Sequence, residues 1–406
     1  MSRLFLSILL CAASIALADD AADADSKDPE SGHAFWRKIA VHGTLSQGVL
    51  FGSGNNYLTM NTNDGTARWS EASLNLSTAI SDKLHAGIQA HSYVMGQIGR
   101  GNVQVDWAFA DYSAKNWLGF RGGKLKAPMG LFNEVEDTDT LYNWALLPQG
   151  MYEAEYRSYN VPVVGGAVYG NISLPVGGNV TYQLFGGRRG VAANDGSPLL
   201  TWQLYGIDQG AISGYTYGGD VKWRTPISGV TAGVSFDNSR QYAPHAAWPV
   251  NPYGIPLVLQ IESAISREIY SIQFQRGKFD LAAEGKHEPH WVANNGAGLG
   301  TSPRNAWYVM GSYRVSDKLT VGSYFSRVTG TSFNETFRWH YYDPNKPEFY
   351  GNDTVANARY DVNRFVYVKL EGHYIDGHLG GFFPATNPNE LQKITRLLIA
   401  RVGFTF

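Results

Sequence analysis

The chain has a single cysteine, little net charge and, beyond its first residues, no long apolar run. Cys11 lies near the amino terminus, so disulfides, cysteine nucleophiles and cysteine metal sites are excluded from the rest of the chain. Lys and Arg total 33 and Asp and Glu total 35, a balance that gives no electrostatic basis for binding nucleic acid. No run long enough for a transmembrane helix follows Leu17. Insertion in a membrane would therefore require a closed β-barrel, because only helices and barrels satisfy their backbone in lipid.

The first residues have the pattern of a secretory signal. Arg3 precedes an apolar stretch that ends at a small-residue cleavage site, Ala16-Leu17-Ala18. Cys11 lacks the small residue that precedes a lipoprotein cysteine, so lipidation is not expected. Removal of residues 1–18 would leave 32 basic residues (33 minus Arg3) and 35 acidic residues. Residues 19–36 are acidic and alanine-rich and are predicted to be a flexible periplasmic lead, followed by one domain over residues 37–406.

Alternating apolar and polar residues run through the remainder of the chain. Sixteen such segments lie between Lys38 and Phe406, and the connections alternate between short turns and long polar loops. An even strand number with this loop pattern predicts an all-β fold, a transmembrane 16-stranded antiparallel up-and-down β-barrel. The alternative is a soluble β-sandwich. Aromatic residues beside the short turns are predicted to form a girdle: Tyr112, Trp117, Trp223, Phe279, Tyr313 and Phe365.

Two short turns share one sequence. Ser-Asp-Lys-Leu occurs at residues 81–84 and again at 316–319, each time between two alternating segments. The repeat predicts two hairpins built on the same plan.

Apolar residues alternate with polar or small residues in the final segment, up to the last residue of the chain. Leu398, Val402, Phe404 and Phe406 share one face of the final segment, and Arg401 lies on the other. This ending resembles the terminal strand of bacterial outer-membrane barrels. The resemblance implies that Phe404 and Phe406 form an assembly signal read by the barrel assembly machinery, and that the barrel contacts outer-membrane lipid and lipopolysaccharide.

Two internal segments resemble bacterial porins related to the phosphate-selective porin O/P group. One is the Gly-x-x-x-x-Pro-x-Gly-Leu-x-Asn-Glu segment within residues 122–134, and the other is the Lys-x-Glu-x-His run that begins at Lys369 and ends in Asp376-Gly377. The resemblance implies a passive, trimeric outer-membrane porin without enzymatic activity or cofactor. It also implies that the third external loop, which follows the fifth strand, folds into the lumen.

The loop after the fifth strand carries the candidate site. Its carboxylates are predicted to line a constriction: Glu134, Glu136, Asp137 and Asp139, with Glu153 and Glu155 further along. If apolar faces point outward, basic side chains collect on the opposite wall: Arg121, Lys222, Arg224, Lys286, Arg314, Arg359, Lys369 and Arg401. Opposed charges across a narrow pore orient dipolar solutes and set ion preference. The alternative is that the loop acids are solvated and that wall acids pair locally with the bases, namely Glu71, Asp106, Asp220, Glu284, Asp361 and Glu371.

Other patterns are weaker. His287-Glu288-Pro289-His290 contains metal-binding residue types, but a proline at a strand end disfavours a ligand array, and no metal site is predicted. Lys369, Glu371 and His373 share one strand face, where local charge compensation is expected. A sugar-stacking track is an alternative to packing for four aromatics: Tyr57, Trp69, Tyr93 and Tyr215.

No hydrolase elbow, zinc-protease motif or phosphate loop occurs. The predicted function is a channel for passive diffusion of small hydrophilic solutes and ions. The alternatives are an anion- or phosphate-selective channel and, from another class, a barrel enzyme or surface-binding protein.

Overall fold

The computed structural model describes residues 39–406 except 176, 250–253, 255–256, 296, 302, 331, 335–338, 342 and 344. The predicted signal peptide and periplasmic lead lie outside these residues. Within them, no helix is long and apolar enough to cross a membrane. The described strands are β1 (Ile39–Ser53), β2 (Thr66–Ala79), β3 (Leu84–Met95), β4 (Gln104–Lys115), β5 (Leu118–Lys126), β6 (Pro162–Ser173), β7 (Asn179–Val191), β8 (Ile212–Arg224), β9 (Val230–Trp248), β10 (Leu257–Arg276), β11 (Phe279–Glu288), β12 (His290–Asn294), β13 (Ala297–Thr301), β14 (Arg304–Arg314), β15 (Leu319–Gly330), β16 (Ser332–Asn334), β17 (Trp339–Tyr341), β18 (Tyr350–Asp361), β19 (Val366–Gly377) and β20 (Ile394–Thr405).

Sixteen of these strands form a closed antiparallel barrel. They are β1–β11, β14, β15 and β18–β20, each paired with its neighbour in the chain order. Pairing of β1 with β20 closes the barrel, with Leu45 opposite Phe404 and Gly48 opposite Arg401. The four shorter strands extend two of the long connections, and β12 continues along β10 beyond the end of β11. The predicted sixteen-stranded barrel is confirmed.

The two faces of the barrel strands differ as the alternation predicts. In β20, Leu397, Ile399 and Arg401 are buried, whereas Leu398 and Val402 are about half exposed. The exposed face of a closed barrel is its exterior, and it carries large apolar side chains on most strands. Of the six predicted girdle aromatics, all except Phe365 are among the exposed large apolar side chains.

The repeated turn sequence forms two equivalent hairpins. The Ser81 hydroxyl oxygen accepts hydrogen bonds from the amides of Lys83 and Leu84, at 3.4 and 3.1 Å. Ser316 makes the same contacts with the amides two and three residues later, at 3.3 and 3.1 Å. A serine hydroxyl that binds nearby backbone favours a tight turn, so the two hairpins share one plan as predicted.

Candidate functional site

Loop 3, the connection of residues 127–161 between β5 and β6, contacts the interior wall of the barrel. On β19, the Glu371 carboxylate accepts hydrogen bonds from the backbone amides of Ala145 and Leu146, at 2.8 and 2.9 Å. Lys369, two residues earlier on the same buried face, donates to the Asp139 carboxylate at 2.6 Å and to the Trp144 carbonyl at 2.8 Å. A lysine with 0% exposure requires such acceptors, because a buried unpaired charge is very costly.

The loop also returns to the wall next to its own origin. The Arg157 guanidinium forms two parallel hydrogen bonds with the Asp106 carboxylate on β4, both 2.9 Å. Asp137 pairs with Lys126 at the end of β5 and accepts a hydrogen bond from Gln89 on β3. A bidentate arginine–carboxylate pair fixes direction as well as distance, so this end of the loop has a defined orientation.

A third set of contacts involves β11 and β14. The Glu284 carboxylate accepts a hydrogen bond from the Tyr308 hydroxyl at 2.6 Å, one from the Tyr152 hydroxyl, and one from the Leu131 amide at 2.9 Å. Apolar side chains of loop 3 pack around this anchor against the wall: Met129, Trp144, Leu147, Met151 and Tyr152 meet Tyr308, Met310, Tyr324, Val328 and Val355. Loop 3 is therefore joined to strands on several sides of the barrel by both polar and apolar contacts.

His373 contacts Glu371, the residue whose carboxylate binds the backbone of loop 3. Its Nε2 atom lies 3.0 Å from Glu371 Oε1, and its Nδ1 atom lies 2.9 Å from Asp353 Oδ2 on β18. Glu371 and His373 thus compensate one another on their shared strand face, as predicted, whereas Lys369 pairs with Asp139 of loop 3. Asp353 was not singled out from the sequence, although its position on the inward face of β18 follows from the same alternation.

The predicted wall bases fall into three groups. Lys369, Arg359 and Arg401 contact loop 3, with Arg359 donating to the carbonyls of Thr140 and Tyr142 at 2.7 and 3.1 Å. Three others pair with carboxylates: Arg121 with Asp111 at 2.8 Å, Lys222 with Asp220 at 3.5 Å, and Lys286 with Glu288 at 3.5 Å. Arg224 and Arg314 are exposed and have no ion pair with any described residue.

The predicted loop acids divide in a similar way. Asp137 and Asp139 are 1% and 2% exposed and lie in ion pairs, so they are not the solvated loop acids of the alternative. Glu134 and Glu136 are partly exposed, and neither carboxylate has an ion-pair partner among the described residues. Glu153 pairs with Arg304 at 2.7 Å. The role of any of these acids in a constriction stays a prediction.

Two cavities adjoin loop 3. The smaller, about 60 Å³, is lined by Trp69, Glu71, Tyr93, Glu136, Arg157, Arg401 and apolar loop residues. The larger, about 530 Å³, is lined by Lys115, Glu134, Tyr169, Asp220, Lys222 and neighbouring residues where β4, β6, β7 and β8 approach the short turns. Glu136 and Glu134, two of the loop acids without an ion pair among the described residues, therefore face different cavities.

Burial alters the acidity of both glutamates. Desolvation raises the pKa of Glu136 to about 7, against the opposing influence of Arg157 and Lys126, while Glu71 and Asp137 raise it further. Desolvation also raises the pKa of Glu134, against the influence of Lys222 and Arg121. The charge of Glu136 consequently changes near neutral pH.

The weaker sequence candidates do not assemble into sites. No group of three metal-binding side chains occurs among the described residues, and Glu288 instead pairs with Arg267 at 2.6 Å. Tyr57 and Trp69 are buried, whereas Tyr215 is 48% exposed and lies on the outer face of β8. The four aromatics therefore do not form one stacking track.

Several interior contacts were not predicted from the sequence. Arg189 on β7 and Asp237 on β9 form a fully buried pair at 2.8 Å, and Arg304 on β14 reaches Glu153 in loop 3. Strand alternation identifies the inward position of Arg189 and Asp237 but not their pairing. The loop contacts have no signal in local sequence.

Comparisons with solved structures agree with this geometry. A loop-deletion mutant of OmpT, an outer membrane protein of Vibrio cholerae, resembles the chain with a TM-score of 0.55 at 12% identity, covering 91% of this chain and 99% of that one. The trimer form of in-vitro folded OmpT gives a TM-score of 0.53 at 12% identity, with coverage of 91% and 99%. An anion-selective porin of Comamonas acidovorans gives 0.52 at 10% identity, also with coverage of 91% and 99%. No family model and no curated protein matches the sequence. At these identities the likeness establishes the barrel fold.

Proposed function

We propose that this protein is a bacterial outer-membrane porin, a water-filled channel for passive diffusion of small hydrophilic solutes and ions. One observation carries the proposal: a closed sixteen-stranded barrel has an apolar exposed exterior and an interior wall rich in charged side chains. An exterior of this kind suits lipid, and a charged interior suits water and ions. The fold likeness to an anion-selective porin supports the same class. The proposal involves no chemical step and no cofactor.

In this proposal loop 3 narrows the channel. Its contacts reach β4, β11, β14 and β19, which lie at different positions around the barrel. In this proposal the space left open beside loop 3 includes both cavities, and the larger one, beside β4 and β6–β8, is the wider path for solutes. Glu134 and Glu136 supply negative charge to the passage, and the unpaired Arg224 and Arg314 supply positive charge.

Anion selectivity is the second candidate. Arg224 and Arg314 are exposed, have no ion pair within the described part of the chain, and lie on the inward face of strand ends beside short turns. Basic side chains at a pore mouth attract anions and raise their local concentration. A phosphate-selective or other anion channel would use these residues, with Lys222 and Lys115 of the larger cavity.

We propose a homotrimer embedded in outer-membrane lipid and lipopolysaccharide and inserted by the barrel assembly machinery. The trimer form of OmpT, a protein of the same fold, supports the assembly. Apolar exterior residues such as Leu398 and Val402 supply surface for lipid or for a neighbouring subunit. A single species of monomer mass in native detergent would argue against the trimer.

Single-channel recording in a planar bilayer tests the function. The refolded full chain, checked as a folded barrel by its heat-modifiable migration, is expected to give stable conductance steps. The reversal potential under a salt gradient then separates the two candidates, because anion-over-cation permeability that saturates with phosphate favours the anion channel. A folded barrel without conductance would refute the porin proposal and favour a barrel enzyme or a surface-binding protein.

A further inference from the structure

Two polar groups that line the smaller cavity beside loop 3 have no hydrogen-bond partner among the described residues: the Glu136 carboxylate and the Nε–H of Arg157. Glu136 lines this cavity, and its carboxylate has no hydrogen bond or ion pair with any described residue. Arg157 also lines it, and its Nε–H has no acceptor although the side chain is only 7% exposed. A buried N–H without an acceptor costs about 1–3 kcal/mol, so an occupant that accepts this hydrogen bond is favoured.

The other charges around this cavity are already neutralised. Each neighbouring carboxylate has a basic partner: Glu71 with Arg401 at 2.7 Å, Asp106 with Arg157 at 2.9 Å, Asp137 with Lys126, and Asp139 with Lys369 at 2.6 Å. Each of these four bases is matched to one carboxylate, and Glu136 is a fifth carboxylate without a base of its own. Ionised Glu136 therefore carries a negative charge without a basic partner, while the Nε–H of Arg157, whose two terminal nitrogens bind Asp106, remains an open donor.

We propose that this cavity is a binding site for a small zwitterionic solute of the amino-acid class. The ammonium group of the solute donates to the Glu136 carboxylate, and its carboxylate accepts the Nε–H of Arg157. Tyr93, Gln149 and Glu136 are partly exposed, which leaves the cavity open on one side. The inference rests on the proposed channel function and names a class of solute that the channel recognises.

The size of the cavity selects among hydrophilic solutes. A volume of about 60 Å³ corresponds to roughly four to six water molecules, close to the size of a two- or three-carbon amino acid. A hexose has about twice as many non-hydrogen atoms and exceeds this volume. Apolar neighbours such as Met95, Leu146 and Leu147 line the remaining wall and suit a short aliphatic side chain.

The charges that face Glu136 come from several elements. They are Glu71 on β2, Lys126 on β5, Asp137 and Arg157 of loop 3, and Arg401 on β20. Glu136 and Arg157 line the same cavity of about 60 Å³, so the two proposed contacts lie close enough to act on one solute. A bound ammonium group would favour the ionised form of Glu136, and binding therefore strengthens as pH rises through neutrality.

Single-channel current with L-alanine as the probe tests the site. Propionate lacks the ammonium group and ethylammonium lacks the carboxylate, so each provides one half of the proposed interaction. Alanine is expected to interrupt the current at concentrations at least about tenfold lower than either analogue, because it makes both charge-assisted hydrogen bonds. Equal potency of the three compounds would overturn the proposal and leave an ordered-water cavity.

Three variants complete the test. Glu136→Gln removes the charge at a partly exposed, unpaired position, so the barrel is expected to fold. Arg157→Lys keeps a cation beside Asp106 but removes the Nε–H. Each is expected to weaken the alanine effect at least about tenfold, whereas the control Glu390→Gln, an exposed carboxylate outside the cavity, changes it by less than about twofold. Open channels whose alanine response is the same in Glu136→Gln and Glu390→Gln refute the site. Absence of channels in the unmodified protein refutes the proposed function instead.

Discussion

Replacement of Glu371 by glutamine tests whether loop 3 narrows the channel. The carboxylate is 1% exposed and accepts the amides of Ala145 and Leu146 at 2.8 and 2.9 Å. Glutamine keeps one acceptor oxygen, but its amide nitrogen faces the other N–H and leaves that donor unsatisfied. Loss of one charge-assisted hydrogen bond with an unsatisfied buried donor costs about 3 kcal/mol. The fraction of time that this loop segment is detached should therefore rise about a hundredfold.

The expected result is a larger and noisier single-channel conductance, together with a larger solute-exclusion limit in liposome swelling. Asp280→Asn is the matched control, since Asp280 lies on the interior wall and bonds to Gln273 and Gln275 rather than to loop 3. It is expected to leave the exclusion limit unchanged. If Glu371→Gln is folded but has the conductance, noise and exclusion limit of the unmodified protein, loop 3 does not set the width of the channel through this anchor.

Three further predictions concern charge, stability and assembly. Because burial raises the pKa of Glu136 to about 7, its carboxyl is neutral below that pH and negative above it. Cation-over-anion permeability should therefore rise between about pH 6 and about pH 8. Glu136→Gln should abolish this rise. Arg189→Met leaves Asp237 buried and unpaired, and should lower the free energy of unfolding by about 3–5 kcal/mol, measured by denaturant titration in vesicles. Arg240→Met, at an exposed pair, should change it by about 0–1 kcal/mol, and equal effects would contradict the burial argument. Deletion of Phe406 should reduce assembly in cells far more than refolding in detergent; equal losses would show a purely structural role.

Local sequence determined the strands because a barrel strand contacts two different environments. Alternation places Leu398 and Val402 toward the exterior and Arg401 toward the interior. The face on which each side chain lies follows from the period of two and does not depend on which strand is the partner. The turn residues Ser81 and Ser316 likewise make local contacts, since each hydroxyl accepts a hydrogen bond from the backbone amide three residues later. Strand number, strand faces and short turns could therefore be predicted without tertiary information.

The candidate site could be predicted only in part. Glu371 and Lys369 were recognisable as inward residues, but their partners lie more than two hundred residues away in the chain. The sequence identifies Asp139 and Glu136 alike as acids of the loop. Asp139 is buried against Lys369, whereas Glu136 faces a cavity and has no ion pair with any described residue. That difference arises from the path of the loop.

The sequence by itself determined a closed barrel with an apolar exterior, a charged interior and a long acidic loop after the fifth strand, because these features depend on residue type and a period of two. Only the tertiary structure decided which charges neutralise one another and which remain available to a solute. The physical reason is that loop 3 has no repeating pattern. Its position follows from many contacts with distant strands, each requiring a donor and an acceptor to meet in space.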